Sequence, residues 1–197
     1  MSPEHNADAT RKKILDIAAE EIHVRGFQAS NTSDIIKKAN ISKGALYHHF
    51  NNKLELGYAV FDEVFAPKVT AMWQPIFESK QPIEDMILFF QDMLTWTNCS
   101  VLSKGCPINN LAQEMSAVDE GFRVRINTTM QAWQHGISQA LRRGQENGQL
   151  NQAIDVERTA IFLIASIEGA YGLAKNAQDE EVFSSCIYGL IDSLKRL

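Results

Sequence analysis

Apolar residues recur every three or four positions along nearly the whole chain, which is the spacing of amphipathic helices. No stretch shows the sustained single-residue alternation of a half-buried strand. The first helix is expected from about Thr10 to Arg25, with Ile14, Ala18 and Ile22 on its buried stripe. The pattern therefore predicts an all-α protein of about nine helices, preceded by a disordered arm over residues 1–9.

Two short helices are predicted next, over about 32–39 and 43–49. Asn31 and Ser42 are good N-caps for them, because their side-chain oxygens can accept hydrogen bonds from free backbone N–H groups. Asn40 between them tolerates the left-handed backbone of a tight turn. Two short helices joined by such a turn and preceded by a scaffold helix have the layout of a helix-turn-helix DNA-binding unit.

The charge distribution agrees with that layout. Residues 1–55 carry 8 basic and 7 acidic side chains, whereas the other 142 residues carry 11 and 17, so a net charge of −5 conceals a near-neutral N-terminal part. Lys37, Lys38, Lys43 and Lys53 fall between Ile35 and Leu54, a stretch without any acid. This basic stripe is where an anionic partner such as double-stranded DNA would bind.

The rest of the chain is predicted to be helical. A long helix is expected from Lys53, bending near Pro67 and ending between Pro75 and Ser79. Shorter helices are expected over about 83–94 and 107–115, with a loop from Asn98 to Gly105. A long helix over about 122–147 and two terminal helices, about 155–176 and 180–196, complete the chain. The terminal pair is apolar enough to form a four-helix bundle with a second copy, which predicts a homodimer.

These elements divide the chain into an expected DNA-binding domain, residues 1–55, and an expected effector-binding and dimerisation domain, residues 56–197. Three cysteines without a CxxC pair argue against both a disulfide framework and a zinc site. The longest apolar run, Ile161 to Ile167, stops at Glu168 and is too short to span a membrane. We therefore expect a cytoplasmic protein with no membrane segment.

The segment from Gly26 to Leu56 resembles the DNA-binding domain of the TetR/AcrR family of transcriptional regulators. The matching residues, in order, are Gly26-Phe27, Asp34-Ile35, the run from Ala39 to Phe50, Asn52-Lys53 and Leu56. Asn40 replaces a common Gly, and Ile36 replaces a common Ala, and neither change is incompatible with the same turn and packing. The resemblance implies a DNA-binding N-terminal domain joined to a variable effector-binding domain.

The second short helix carries the residues expected to contact DNA. Its first turn is small apart from Lys43, so the helix N-terminus can approach base edges in the major groove. Thr32 and Lys53 flank it and are expected to bind phosphates. His49 has a structural alternative, packing inward between the helices. The full set of expected DNA-binding residues is Thr32, Ser42, Lys43, Gly44, Ala45, Tyr47, His48, His49 and Lys53.

Aromatic and sulfur side chains are dense in the C-terminal part, and the resemblance implies that some of them line an apolar effector pocket. The same side chains fit an ordinary core, since they occur at helical spacing. The residues expected to bind the effector are Phe65, Phe89, Met93, Cys106, Met130, Trp133 and Lys175.

Cys106 also suggests a different mode of sensing. It directly precedes Pro107 at a predicted helix start, where the helix dipole and Lys104 would stabilise a thiolate. The resemblance implies that oxidants or electrophiles are sensed through such thiols in some family members. The alternative is an inert cysteine that fills space in the core.

No catalytic, metal-binding or cofactor motif was found, so neither an enzyme nor a cofactor is expected. The sequence predicts a homodimeric, ligand-responsive transcriptional regulator, most simply a repressor, that is released from a pseudo-palindromic operator by a small and largely apolar effector. Two alternatives stay open: a redox or electrophile sensor acting through Cys106, and a helical small-molecule-binding protein that does not bind DNA.

Overall fold

The computed structural model describes residues 3–197, without the side chains of residues 3–6 and 96. The described chain is all-α, as predicted, and contains no strand. The helices are α1 (Pro3–Arg25), α2 (Thr32–Ala39), α3 (Lys43–His49), α4 (Lys53–Val60), α5 (Ala66–Glu78), α6 (Pro82–Trp96), α7 (Cys99–Leu102), α8 (Pro107–Met115), α9 (Glu120–Glu146), α10 (Val156–Ala177) and α11 (Glu180–Leu194).

Three details differ from the sequence-based prediction. Helix α1 begins at Pro3, so most of the expected disordered arm is helical, and residues 1 and 2 lie outside the described part. Pro is compatible with the first turn of a helix, as this start requires. The helix from Lys53 is interrupted by a π-helical turn, Phe61–Phe65, rather than at Pro67. The short helix α7 occupies the predicted loop, since Asn98 caps it through the N–H of Val101.

The first compact unit comprises residues 1–69 and 107–127. It therefore extends beyond the predicted boundary at residue 55, because α8 and the start of α9 pack with the first four helices. Its core includes Ile14, Ala18 and Leu46, all fully buried. Phe122 of α9 lies among the aromatic rings of this core, with its ring 4.8 Å from that of Phe27 and 5.0 Å from that of Tyr58.

The second compact unit comprises residues 70–106 and 128–197. Helices α10 and α11 pack along each other, and α6 packs against α11. Phe90 and Met93 of α6 and Phe183 and Ile187 of α11 are buried in this core. None of the described helices is long and apolar enough to cross a membrane.

Candidate DNA-binding surface and effector site

The turn between α2 and α3 is fixed by local hydrogen bonds. Asn40 adopts the left-handed conformation, with φ of 49°, and its backbone N–H bonds to the end of α2. The Ser42 hydroxyl accepts a hydrogen bond from the N–H of Ala45 at 3.1 Å, capping α3. Leu46 is fully buried beneath α3. Helix α3 is therefore held on the core by its inner face, which leaves its outer face available.

That outer face carries most of the residues predicted to read DNA. Lys43, Gly44 and His48 are exposed, and Tyr47 is 40% exposed. The Lys43 Nζ atom lies 5.9 Å from the centre of the Tyr47 ring, one turn along the helix. The exposed face of α3 thus offers an ammonium, an imidazole and a phenol beside a glycine, groups able to bind bases and phosphates.

Two lysines of the basic stripe are engaged inside the unit. Lys38 forms an ion pair with Glu21, whose carboxylate is buried between α1 and α2. The Lys53 ammonium donates to the carbonyl oxygen of Gln28 at 3.0 Å and lies 4.7 Å from the Phe27 ring centre. Burial lowers the pKa of Lys53. The phosphate-binding role of Lys53 stays a prediction, because these contacts also give it a structural role.

The remaining candidates lie at the edges of this surface. Thr32 and Ala45 are half-buried at the starts of α2 and α3. His49 is half-buried, and its ring lies 5.1 Å from that of His48. Burial, and secondarily the nearby His48, lowers the pKa of His49. A neutral His49 with this packing fits the structural alternative for this residue better than a phosphate contact.

The sequence reasoning missed the residues that hold the DNA-binding helices from α8 and α9. The Glu114 carboxylate accepts hydrogen bonds from the backbone N–H groups of Phe27 and Gln28, each at 2.8 Å. The Tyr58 hydroxyl donates to Asp119 at 2.7 Å. Isolated acidic residues in a predicted helix carry no signal of such long-range partners, so a single sequence could not reveal them.

In the second unit, several predicted effector residues lie around one tryptophan. The Trp73 ring lies 4.7 Å from that of Phe89 and 5.3 Å from that of Trp133. Met93 is fully buried, and Met130 is half-buried. The indole N–H groups of Trp73 and Trp133 have no hydrogen-bond partner in the described part of the chain. This aromatic group is packed as a core, yet it retains two buried donors without acceptors.

Phe65, the remaining apolar candidate, belongs to the first unit. Its buried ring lies 6.2 Å from the ring of His23 of α1, within the core beneath the DNA-binding helices. A contact with an effector therefore stays a prediction for Phe65.

Cys106 and Lys175 are both half-buried in the second unit. The Cys106 thiol hydrogen-bonds to the carboxyl of Glu168, a buried residue of α10. Sequence reasoning noted Glu168 only as the end of an apolar run. A carboxyl group within an otherwise apolar helix was nevertheless the available signal, because such groups are rarely buried without a purpose.

The outer face of the α10–α11 pair is uncovered in the single chain. Phe162, Leu173 and Tyr188 are each more than half exposed. A Cβ atom added at Gly169 or Gly189 would meet no other atom within 4 Å. An open groove of about 330 Å³ runs along this face and is lined largely by apolar atoms. Contiguous apolar exposure of this kind marks an interaction surface.

Comparison with known proteins identifies the family to which this chain belongs. The family model described as "Bacterial regulatory proteins, tetR family" matches residues 14–60, which include α2 and α3. The model described as "Tetracyclin repressor-like, C-terminal domain" matches residues 82–188, more than half of the chain. The chain therefore belongs to the TetR family of bacterial transcriptional regulators, and the resemblance seen in the sequence is confirmed.

Individual proteins similar to this chain are also named as transcriptional regulators. The chain is 27% identical over 173 residues to the transcriptional regulator AcuR of Cereibacter sphaeroides, covering 86% of this chain and 78% of AcuR. It is 26% identical over 192 residues to the transcriptional repressor NemR of Escherichia coli K12, covering 93% and 92%. A TetR-family regulator from Cytophaga hutchinsonii has the same fold, with a TM-score of 0.86 at 21% identity over 100% of this chain and 97% of that one.

Proposed function

We propose that this regulator is a repressor that binds a pseudo-palindromic operator as a homodimer and leaves it when a small-molecule effector binds. The observation that carries the proposal is the capped, core-anchored helix α3 with Lys43, Gly44, Tyr47 and His48 on its outer face. Repression is favoured over activation because NemR is named as a repressor. The relatives are named as regulators, which also points away from an enzyme.

In this proposal α3 enters the major groove with its N-terminus foremost. Lys43 and His48 read base edges, and Gly44 allows the backbone to come close to the DNA. Thr32, Ser42 and Lys53 bind phosphates and set the position of α3 without reading sequence. Lys53 retains N–H donors for that role beyond the one given to Gln28.

The second copy is proposed to bind on the outer face of α10 and α11. Exposed Phe162, Leu173 and Tyr188 would be buried there, and Gly169 and Gly189 would allow the helices to approach closely. The resulting four-helix interface is self-complementary, as a two-fold dimer requires. Two recognition helices would then reach major grooves one helical turn, about 34–36 Å, or a multiple of it apart.

Effector binding is proposed in the second unit, near Phe89, Met93 and Trp133. A ligand that binds one conformation better shifts the dimer toward that conformation, and DNA release follows if the favoured state fits the operator poorly. A coupling free energy of about 1–3 kcal/mol is sufficient for a useful shift in occupancy.

The test is binding of the purified protein to the DNA that flanks its own gene, followed by fluorescence anisotropy. We expect nanomolar to micromolar affinity that falls steeply with salt, because phosphate contacts release counterions. Lys43→Ala should weaken binding about tenfold and alter sequence preference. The matched control Lys80→Ala, an exposed lysine of the second unit, should leave binding unchanged. Absence of salt-sensitive binding would favour a small-molecule-binding protein without DNA function.

A second candidate is thiol sensing, in which an oxidant or electrophile modifies Cys106 and releases the DNA. Partial exposure of Cys106 supports it. The thiolate is the reactive form, however, and the neighbouring carboxyl group of Glu168 does not stabilise a negative charge on sulfur, so we give precedence to the non-covalent effector. The test is release of DNA by an oxidant in Cys106→Ser and Cys99→Ser variants. Release that is unchanged in Cys106→Ser but lost in Cys99→Ser would assign sensing to Cys99 and exclude Cys106 as the sensor.

A further inference from the structure

Four side chains from three parts of the second unit form a buried polar cluster: Thr97, Cys106, Glu168 and Tyr171. Thr97 follows the last turn of α6, Cys106 directly precedes α8, and Glu168 and Tyr171 are neighbours on one face of α10. Thr97, Glu168 and Tyr171 are each at least nine-tenths buried. We call these four residues the α10 polar cluster.

The α10 polar cluster contains two buried oxygen atoms that have no hydrogen-bond partner among the described residues. Oε2 of Glu168 is buried and has no hydrogen-bond partner in the described part of the chain. The same holds for Oγ1 of Thr97, which lies next to the Tyr171 hydroxyl. Burial raises the pKa of Glu168 to about 7 and also raises that of Tyr171. Buried polar atoms are nearly always paired, so this arrangement is incomplete as it stands.

The unpaired atoms of the α10 polar cluster indicate which kind of ligand would bind there. The unpaired atoms are a carboxyl oxygen and a hydroxyl oxygen, and a ligand with several N–H donors pairs with both at once. A positive charge on the ligand is balanced by the carboxyl group when that group ionises. An ammonium group carries three N–H donors and one positive charge, and it matches both requirements. The Tyr171 ring, 5.0 Å from the Phe183 ring, adds an aromatic face next to the carboxyl group.

Lys175 does not fill this role in the structure. It lies on the same stripe of α10 as Glu168 but seven residues further on, about 10 Å along the helix axis. The pKa of Glu168 is set by its burial and by Cys106. Among the described residues this oxygen has no donor, which leaves it open to a group from outside the chain.

The surroundings supply access and an apolar environment. Cys106 is partly exposed, so the α10 polar cluster reaches solvent at this residue. Met93, one turn before Thr97 on α6, is fully buried and marks where the cluster meets the apolar core. A ligand with a polar head and an apolar body would place its head at Glu168 and its body toward Met93.

We propose that the α10 polar cluster binds the ammonium head of an amphipathic primary amine, and that such amines are the class of effector this regulator recognises. The inference deepens the proposed function and rests on it for the consequence, release of DNA. The binding step itself does not depend on DNA.

The experiment measures binding of matched ligands to the full-length protein without DNA, by thermal shift and calorimetry. The probes are phenethylamine, 2-phenylethanol and 3-phenylpropanoate, together with hexylamine and 1-hexanol. We expect each amine to bind at least about tenfold more tightly than the alcohol of the same skeleton, because hydrogen bonds to charged groups contribute that much. The carboxylate should bind most weakly.

The variants assign the effect to the α10 polar cluster. Glu168→Gln should remove the preference for amines over alcohols, whereas the exposed control Glu146→Gln should retain it. Thr97→Val, which keeps the carboxyl, should weaken amine binding about threefold or more and serves as the second test should Glu168→Gln fail to fold. Equal binding of amines and alcohols, tighter binding of the carboxylate, or no amine binding at millimolar concentration would overturn the proposal.

Two further outcomes separate this inference from the proposed function. A crystal structure in which a water bridges Glu168 and Thr97, and is not displaced by either amine, would overturn the inference alone. Operator binding is measured on the same preparations. Intact operator binding without amine selectivity refutes the amine site only, whereas amine selectivity without operator binding refutes the DNA-binding function only.

Discussion

The two compact units treat their buried polar groups differently. In the first, the Glu21 carboxylate is compensated by two cations, since one oxygen forms an ion pair with Lys38 and the other, although it makes no hydrogen bond among the described residues, lies 3.5 Å from the guanidinium of Arg25. Glu114 accepts hydrogen bonds from two backbone N–H groups. In the second, the carboxyl of Glu168 retains an oxygen without a partner among the described residues. The buried indole N–H groups of Trp73 and Trp133 likewise have no hydrogen-bond partner among these residues.

This difference fits two different tasks. A surface that binds DNA benefits from being preformed, because conformational freedom lost on binding reduces affinity. The contacts formed by Glu21 and Glu114 hold the helices that pack with α3. A sensing core gains specificity from polar groups that only the correct ligand satisfies. The unpaired carboxyl of Glu168 is such a group.

The exposed surfaces of the two units also differ in polarity. The outer face of α3 is polar, with Lys43 and His48 exposed, whereas the outer face of α10 and α11 exposes Phe162 and Leu173. The first surface suits a charged and hydrated partner such as DNA. The second suits a permanent partner that buries apolar area, as in a dimer.

The largest expected effect concerns the apolar face. Leu173→Glu would place like charges near each other in the proposed two-fold interface, and we expect the dimer to weaken at least about a hundredfold, with operator binding lost. Sedimentation velocity measures the first effect and anisotropy the second. Leu88→Glu is the matched control, since Leu88 of α6 is similarly exposed, at 55% against 58%. A Leu173→Glu protein that dimerises like the wild type would place the interface elsewhere.

The unpaired carboxyl predicts a pH-dependent stability. The pKa of Glu168 rises from 4.5 to about 7 on folding, so the unfolded carboxyl ionises while the folded one keeps its proton. The free energy of unfolding of the wild type should therefore decrease as the pH rises from about 4.5 to 7. Because glutamine does not titrate, Glu168→Gln should gain up to about 3 kcal/mol over the wild type at pH 8 and little at pH 4.5.

Urea unfolding at both pH values measures this difference. The exposed control Glu146→Gln should show the same small change at pH 8 as at pH 4.5. If the advantage of Glu168→Gln were the same at both pH values, the carboxyl would not be desolvated in the way the structure describes.

The closed packing of the first unit predicts a steric effect. A Cβ atom at Gly57 would lie within 3.0 Å of the rings of Phe27 and Phe122. Gly57→Ala should therefore lower the free energy of unfolding by about 1–3 kcal/mol through overpacking, despite the better helix propensity of alanine. Chemical denaturation measures it, and a stabilised Gly57→Ala protein would mean that these rings are free to move aside.

The smallest expected effect separates stability from function at Gly44. A Cβ atom there would meet only the Ser42 hydroxyl oxygen at 3.8 Å, an ordinary contact. Gly44→Ala should raise the free energy of unfolding by about 0.5–1 kcal/mol because alanine favours helix. We expect operator binding to weaken at the same time, since the added methyl group lies where the DNA backbone or bases approach. Unchanged DNA affinity would remove Gly44 from the contact surface.

Much of the fold and of the DNA-binding surface could be predicted from the sequence, because both depend on local rules. The helices α2 and α3 begin and end where the caps Asn31, Asn40 and Ser42 placed them. The exposure of Lys43 and the burial of Leu46 follow from helical periodicity. Family membership followed from residues at fixed spacing in the same segment.

Features that depend on distant partners could not be predicted. Lys38 forms an ion pair with Glu21, and Lys53 donates a hydrogen bond to Gln28, so two lysines of the basic stripe also have structural roles within the first unit that their spacing in the sequence did not indicate. The extension of the first unit into α8 and α9 rests on Glu114, far along the chain. The pairing state of Glu168 is likewise set by packing, which a single sequence does not encode locally.

Methylation-interference footprinting of the full-length protein on the DNA that flanks its gene tests the central claim most directly. A dimer that presents two α3 helices should require unmodified guanines in two major-groove segments of related sequence, separated by one helical turn or an integral multiple. The Leu173→Glu variant should lose both segments together. A single contacted segment, or two that persist in the Leu173→Glu variant, would contradict a dimer that joins its recognition helices through α10 and α11.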